Sequence, residues 1–293
     1  MGRTIDKVKE LIKSGQWGLL FKEIDAHAGI GALEMLLSSN WFNPLLTLWI
    51  NLRSMPFTKA IRFPIFVYGR PKLYSTTGKV EIKGKLKIGM IKFNQSNAYR
   101  PGNSTLKSEF FNRGLIVFNG PCTIGVGNKI AVYKEGIFEI GTHSLISEMC
   151  IISCFKNIKI GNYFRVAHRS QIMDSGFHYV ANFNTRKIPN HTKPITIGDY
   201  CWVANTCSLM GGTVLPNHTI VASNSVVNKN YEDIKEGSFI AGAPAKVKAE
   251  NLYRVYDSDI NSILYDFFHI DNELLAYDID EEWSYNDLEY INN

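Results

Sequence analysis

The sequence lacks the features that mark several protein classes. Its five cysteines are odd in number and contain no C-x-x-C pair, so neither a disulfide framework nor a zinc ribbon is predicted. The most apolar stretch, WFNPLLTLWI, is interrupted by Asn43 and Pro44 and is far shorter than the roughly 20 residues that a membrane span needs. The opening MGRTIDKVKELIKSG indicates a charged amphipathic helix and not a signal peptide. We therefore expect a cytoplasmic protein.

Charge is distributed unevenly along the chain. Residues 251–293 contain eleven acidic side chains and one arginine, although the whole protein has a net charge of +5. The first 250 residues therefore form a basic body, which attracts phosphate groups on nucleic acids, anionic lipids or phosphorylated cofactors. No nucleic-acid-binding signature is present in the sequence, so we expect no nucleic-acid partner.

An aliphatic residue recurs at every sixth position between residues 194 and 229. The members of this series are Ile197, Val203, Leu209, Leu215, Val221 and Val227. A helix repeats every 3.6 residues and a strand every two, so a period of six fits a short strand followed by a turn. Cys201 and Cys207 stand two positions before aliphatic residues and share their inward face, which favours a core role over a metal role. Stacked coils of this kind bury a continuous aliphatic column, so the sequence predicts a β-solenoid.

The same rhythm extends upstream and is interrupted once. It includes Ile124, Ile130, Ile140, Ile146, Ile152 and Ile158, and, after a phase slip, Ile160, Val166 and Ile172. It stops between Met173 and Lys193, and long excursions from a tight solenoid are usually functional. We predict an N-terminal helical cap over 1–75, a β-helix over 76–250 with an excursion loop over 173–193, and an acidic helical tail over 251–293.

The stretch ITIGDYCWVANTCSLMGGTVLPNHTIVASNSVVNK, followed by AGAPAKVKAE, resembles the hexapeptide-repeat acyltransferases. The likeness is closest to the galactoside, maltose and capsular-polysaccharide O-acetyltransferases. It implies a mainly β fold, a left-handed parallel β-helix, and a homotrimer with acetyl-CoA between neighbouring subunits. Zinc-dependent hydratases also use this solenoid, but they need three converging histidines, and the sequence has no convincing H-x₄-H spacing. We therefore expect no metal ion.

The resemblance also assigns catalytic residues. His178, in MDSGFHYV, matches the family's histidine, and an imidazole suits the removal and return of a proton near neutral pH. Asp174 matches an acid of the same segment, and it could equally be a turn former. Gly176 stands where many relatives have a second acid, so the imidazole could be oriented by a backbone carbonyl, by Asp174 or by a neighbouring subunit. Trp202 is expected to point outward and either line the site or pack in an interface.

The cofactor-binding positions implied by the resemblance fall into three groups. The turn after Trp202 is expected to present a backbone N–H to the thioester carbonyl. Backbone at two later positions would line the pantetheine, and lysines at or beyond the end of the solenoid would bind the nucleotide phosphates. These residues are Ala204, Asn205, Ser223, Asn228, Lys229, Lys246 and Lys248.

Together these features predict an O-acetyltransferase that moves acetyl from acetyl-CoA to a sugar hydroxyl of a bacterial surface glycan or its precursor. The alternatives are an N-acetyltransferase of an amino sugar or small acceptor, and a non-catalytic β-solenoid scaffold. Between Glu34 and Glu81 the chain has no acid but six cations among aromatic residues. That segment indicates either a cap over the first coil or a surface in peripheral contact with an anionic membrane, such as the inner membrane face.

Overall fold

The computed structural model describes residues 41–95, 106–270, 276–279 and 282–289. Short β-strands form three sheets, which we call the first, second and third faces. Most of the predicted N-terminal cap, residues 1–40, lies outside the described residues.

The strands, numbered in chain order, are distributed over the faces as follows. The first face contains β1 (Ile65–Val67), β4 (Ile91–Phe93), β7 (Cys122–Ile124), β10 (Ser144–Ile146), β13 (Arg165–Val166), β16 (Trp202–Val203), β19 (Ile220–Val221), β21 (Phe239–Gly242) and β22 (Ala245–Ala249). The second face contains β2 (Lys72–Thr76), β5 (Glu109–Asn112), β8 (Lys129–Val132), β11 (Ile151–Cys154), β14 (Gln171–Met173), β17 (Ser208–Met210) and β20 (Val226–Val227). The third face contains β3 (Lys79–Ile82), β6 (Leu115–Phe118), β9 (Ile137–Ile140), β12 (Asn157–Ile160), β15 (Ile195–Ile197) and β18 (Val214–Leu215).

Successive strands belong to successive faces, so three strands make one coil. The first coil is β1 to β3, the fifth is β13 to β15 and the sixth is β16 to β18. Each strand pairs in parallel with the strand one coil later, and the pair of β21 with β22 is antiparallel. The chain is therefore a parallel β-helix with three faces, as the six-residue rhythm predicts.

The rhythm marks the inward positions correctly. On the third face, one register column contains Ile82, Phe118, Ile140, Ile160, Ile197 and Leu215, all of them buried. Cys201 and Cys207 are also buried, at 0% and 1% exposure, so their predicted core role is confirmed. Each fully buried aliphatic side chain stabilises the fold by about 1.5–3 kcal/mol, and the repeated column therefore fixes the register of every coil.

The β-helix begins at Ile65, before the boundary expected at residue 76. The six-residue aliphatic pattern misses β1 and β2 because a polar residue, Thr76, occupies a buried position in β2. A register shift between Leu73 and Ser75 also breaks the regular spacing there.

Helices adjoin both ends of the β-helix. Helix α1 (Pro44–Ser54) and the short α2 (Phe57–Ala60) lie at the first coil, where the Asn51 side chain bonds to both backbone groups of Ile65, at 2.7 and 3.2 Å. These bonds satisfy backbone groups on the edge strand β1 that would otherwise be unpaired. Near the other end lie α3 (Ser258–Ile270) and a 3₁₀ turn (Tyr285–Leu288). None of the helices among the described residues has the length and apolar character needed to cross a bilayer.

Candidate functional site

The excursion loop leaves the β-helix at the corner between the second and third faces of the fifth coil. We call residues 174–194 the arm. Its two ends are bonded to each other: Lys193 N–H donates to the Asp174 carbonyl at 2.8 Å, and Gly176 N–H donates to the His191 carbonyl at 2.9 Å. The arm is therefore a folded ribbon that projects from one corner, and its position agrees with the interruption at 173–193.

His178 lies on the outgoing half of this arm, close in sequence to its base. The residue is exposed, and its backbone N–H donates to the Gly176 carbonyl at 2.7 Å. Phe177 precedes it at a positive φ of 62°, in the left-handed region that bulky residues rarely adopt. This tight turn presents the imidazole to solvent, where an acceptor could reach it.

Asp174 has a different role from the catalytic one assigned to it. Its side chain is completely buried, and its carboxylate accepts the backbone N–H groups of Phe155, Lys156 and Asn157 at 2.7, 2.7 and 2.8 Å. A buried carboxylate requires such donors, and these bonds direct it into the preceding coil and away from the arm. Of the two roles expected for Asp174, this geometry fits the turn former. We therefore correct its catalytic assignment: Asp174 is a positioning residue that holds the base of the arm.

A second imidazole, His191, lies at the base of the arm and was not singled out from the sequence. Its Nδ1 is 2.7 Å from the Ser175 hydroxyl, which also accepts the Phe177 N–H at 3.0 Å. The ring packs edge-to-face with Phe155 and Tyr179, at centroid distances of 6.2 and 4.6 Å. The return of the ribbon brings His191 to this position, and the sequence alone gives no signal for that return.

Five of the predicted cofactor residues lie on the two edges of the second face. Ala204 and Asn205 form the corner between the first and second faces, and Ser223 lies at the same corner one coil later. The Ser223 hydroxyl donates to Asn205 Oδ1 at 2.6 Å. Asn228 and Lys229 follow β20 at the opposite corner, on the same side as the arm. The structure therefore brings these residues to the borders of one surface.

The surface between these two corners is a strip of small and medium-sized uncharged side chains. Its half-exposed residues in the fifth to seventh coils are Gln171, Met173, Ser208, Met210 and Val226. Met173 and Met210 are register partners, and Gln171 Nε2 donates to the Ser208 hydroxyl at 2.8 Å. Such a strip offers a flat surface that is largely apolar and has hydrogen-bonding groups along one line.

The backbone of Ala204 does not have the expected free donor. Its N–H donates to the Val221 carbonyl at 2.9 Å as part of the sheet ladder. One N–H cannot make this bond and also a strong bond to a thioester carbonyl. Any oxyanion donor in this turn must therefore come from a residue other than Ala204.

The remaining predicted residues lie away from the arm. Trp202 is on the outer side of the first face, half-buried as expected for an outward aromatic, with the Arg254 guanidinium 5.2 Å from its ring centroid. His178 projects from the corner between the second and third faces, so one chain does not bring Trp202 and His178 together. Lys246 and Lys248 are exposed on β22, at the end of the first face.

Burial keeps four cysteine thiols of the coils in the neutral form. Desolvation raises the pKa of the Cys122, Cys150, Cys154 and Cys201 thiols to about 12, so they remain neutral at physiological pH. A neutral buried thiol is a poor nucleophile and a poor metal ligand. Among the described residues, no group of three or more His, Cys, Asp or Glu side chains is arranged to hold a metal ion.

Comparison with known proteins supports the family expected from the sequence. No protein-family model matches the chain. A protein of Escherichia coli (strain K12) named as the lipopolysaccharide biosynthesis O-acetyl transferase WbbJ is 25% identical over 144 residues, covering 46% of this chain and 72% of that protein. A protein of Saccharomyces cerevisiae named as the acetyltransferase YJL218W is 30% identical over 111 residues, covering 31% and 55%. The solved polysialic acid O-acetyltransferase OatWY is 18% identical, with a TM-score of 0.41, and covers 67% of this chain and 95% of that chain.

The repeat and the fold define the class of protein. Six-residue spacing, three parallel faces and an interrupting arm are the features of a hexapeptide-repeat β-helix. The chain combines this fold with sequence similarity to WbbJ, a protein that is named as an O-acetyl transferase. The prediction of a mainly β fold built as a parallel β-helix is thereby confirmed.

Proposed function

We propose that this protein transfers an acetyl group from acetyl-CoA to a hydroxyl of a sugar in a bacterial surface glycan or its precursor. The observation that carries the proposal is the arrangement around the second face, where predicted cofactor residues border a strip that ends beside the His178 arm. The names of WbbJ and OatWY refer to lipopolysaccharide biosynthesis and polysialic acid, which supports a glycan acceptor.

His178 is the proposed general base. It takes the proton from the acceptor hydroxyl while that oxygen bonds to the acetyl carbonyl carbon. As the C–S bond breaks, the imidazolium returns the proton to the departing sulfur, so no acyl-enzyme forms. Asp174 supports this step by holding the base of the arm, through the three backbone N–H groups that it accepts.

The acceptor is proposed to lie at the base of the arm. A cavity of about 620 Å³ is present there, and its lining includes Phe155, Lys156, Asn157, Asn190 and Thr192. An aromatic ring beside amide and hydroxyl groups suits a sugar, whose C–H face packs on the ring while its hydroxyls form hydrogen bonds. The volume is within the range of small-molecule sites.

The cofactor is proposed to lie along the second face. The strip that includes Ser208 and Met210 would contact the pantetheine arm between the corner of Asn205 and that of Lys229. The phosphates would approach the exposed cations Lys229, Lys246 and Lys248, since ammonium groups pair favourably with phosphate.

A homotrimer is proposed to complete the site. Trp202 and His178 lie on different sides of one chain, so a site that contains both requires a second copy of the chain. A closed three-fold ring would give three equivalent sites. Light scattering at micromolar concentration tests this proposal, and an active monomer would contradict it.

Peripheral contact with an anionic membrane is proposed for the cap. Leu45 and Trp49 of α1 are 77% and 56% exposed, and the surrounding segment from 35 to 80 contains no acidic residue. An amphipathic surface with cations and an interfacial tryptophan is suited to anionic headgroups. The contact is tested by co-sedimentation of the wild type and of Trp49→Glu with phosphatidylglycerol vesicles. We expect the variant to bind the vesicles more weakly.

The activity itself is tested by an acceptor screen. The full chain is incubated with acetyl-CoA and a panel of glycans, and free CoA is measured. We expect CoA release that depends on one class of glycan, and product acetyl groups that alkaline hydroxylamine removes, since it cleaves esters but not amides. Hydroxylamine-resistant acetyl groups would identify an N-acetyltransferase instead. The proposed function would be contradicted if the chain bound no CoA and released no CoA with any acceptor.

A further inference from the structure

A second cavity lies at the first coil, far from the arm. It has a volume of about 680 Å³ and is lined by two segments, Arg53–Pro56 with Lys59 of the cap and Thr77–Glu81 of the first coil. The first and fifth coils are four strand spacings apart, or about 19 Å at roughly 4.8 Å per spacing. The cavity is therefore distinct from the proposed acetyl-transfer site.

Positive charge dominates the lining of this cavity. Arg53, Lys59 and Lys79 supply three cations, and Glu81 is the one acid among the lining residues. Among the described residues, these three cations form no ion pair within 4.0 Å. Three cations and one acid give the lining a net positive charge, which favours an anionic ligand.

The lining also contains one exposed hydroxyl, that of Thr77. Ser54 contributes to the wall, but its Oγ is buried from solvent and has no hydrogen-bond partner among the described residues, so it is not accessible to a ligand. Thr77 is therefore the hydroxyl that can bond to an anion in the cavity.

The surrounding backbone is already paired, which leaves recognition to the side chains. Gly78 N–H donates to the Asn112 carbonyl at 2.9 Å, and Lys79 N–H donates to the Gly114 carbonyl at 2.8 Å. Guanidinium and ammonium groups beside hydroxyl donors match the oxygens of a phosphate group, because they supply several charge-assisted hydrogen bonds at once.

We propose that this cavity is a binding site for a phosphate ester, separate from the acetyl-transfer site. The phosphate could belong to a soluble phosphorylated sugar or to the headgroup of a lipid. Both sources present the same chemistry to Arg53, Lys59 and Lys79, and they differ in whether an acyl chain is attached.

The test measures binding of the full chain to two probes. Pyrophosphate is titrated by calorimetry at low salt, and vesicles with and without phosphatidic acid are used in co-sedimentation. The double variant Arg53→Glu, Lys79→Glu is expected to bind the effective probe at least about tenfold more weakly, with unchanged KM for acetyl-CoA. Lys85→Glu is the matched control, because Lys85 carries the same charge in the next turn but does not line the cavity.

Binding of pyrophosphate identifies a soluble phosphate ester, and binding of phosphatidic acid vesicles alone identifies a lipid headgroup. Binding of neither probe, or equal binding by the double variant, would overturn the proposal.

Discussion

Substitution of Asp174 separates a structural role from a catalytic one. The carboxylate accepts three backbone N–H groups at 2.7–2.8 Å, and the residue is fully buried. A hydrogen bond to a charged group contributes about 1.5–3 kcal/mol, but the three bonds share one acceptor group and are not additive. Loss of one partner from a buried charged network costs about 3–5 kcal/mol, and we expect Asp174→Ala to lower the free energy of unfolding by that amount.

Asp174→Asn should cost less but remain clearly destabilising. The amide keeps one acceptor oxygen, which in its better orientation accepts Lys156 and Asn157, and its NH₂ group then faces the Phe155 N–H. One donor faces a donor and the charge is lost, so we expect a loss of about 1–3 kcal/mol. Asp233→Asn is the control, because Asp233 is an exposed acid in a later turn and its neutral variant should be within about 0.5 kcal/mol of the wild type.

Two measurements determine the outcome. Urea unfolding followed by tryptophan fluorescence gives the free energy, and amide hydrogen exchange reports on Phe155, Lys156 and Asn157 directly. A loss of 3–5 kcal/mol corresponds to about 10²- to 10⁴-fold faster exchange of these amides. If Asp174→Asn kept wild-type stability and exchange but lost more than a hundredfold in kcat, the structural reading would be refuted and Asp174 would return to the catalytic set.

Three further predictions concern activity and pH. His178→Ala should lower kcat by roughly 10²–10⁴-fold, the range for loss of a proton-transfer group, with little change in CoA affinity. An inactive His143→Ala variant together with a fully active His178→Ala variant would contradict the assignment. Lys246→Glu should raise the KM for acetyl-CoA with no change in the fold, and an unchanged KM would remove Lys246 from the site. Burial lowers the pKa of His218 below its ordinary value, so the unfolded chain binds the proton first as pH falls. Its stabilising contribution should be complete above about pH 6.5 and decline below it, and urea unfolding at pH 8 and pH 5.5 should show a smaller pH dependence in His218→Asn than in the wild type.

The core could be predicted from the sequence because its cause is local and repeated. Each coil needs an aliphatic residue at the same step, so a spacing of six identifies inward positions such as Ile197 and Val203 without knowledge of the neighbours. The first coil was not predicted in full, because β2 has a buried Thr76 and a register shift where an aliphatic residue would show the pattern.

The site was less predictable because its contacts join distant parts of the chain. The sequence indicates His178 through its motif and through the end of the rhythm, and the structure places it on an exposed arm. The sequence cannot show that the Asp174 carboxylate turns back to residues 155–157, because that depends on where the preceding coil lies. For the same reason it does not show Arg254 over Trp202, a contact between residues far apart in sequence.

The corner between the third and first faces holds two coil histidines, His143 and His218, in a column of stacked rings. His143, Tyr163, Tyr200 and His218 occupy this corner in successive coils, each at a positive φ between 53 and 57°. A non-glycine residue there costs about 1–3 kcal/mol, and each stacked ring pair returns about 0.5–1.5 kcal/mol. The rings are nearly parallel, with centroids 4.6–5.3 Å apart. A neutral His218 with its proton on Nε2 also donates to Glu289 of the tail at 3.2 Å. His143 and His218 are therefore held in this stack, and His218 also contacts the tail. Neither imidazole lies at the corner from which the arm projects, which supports the proposal that the general base belongs to the arm.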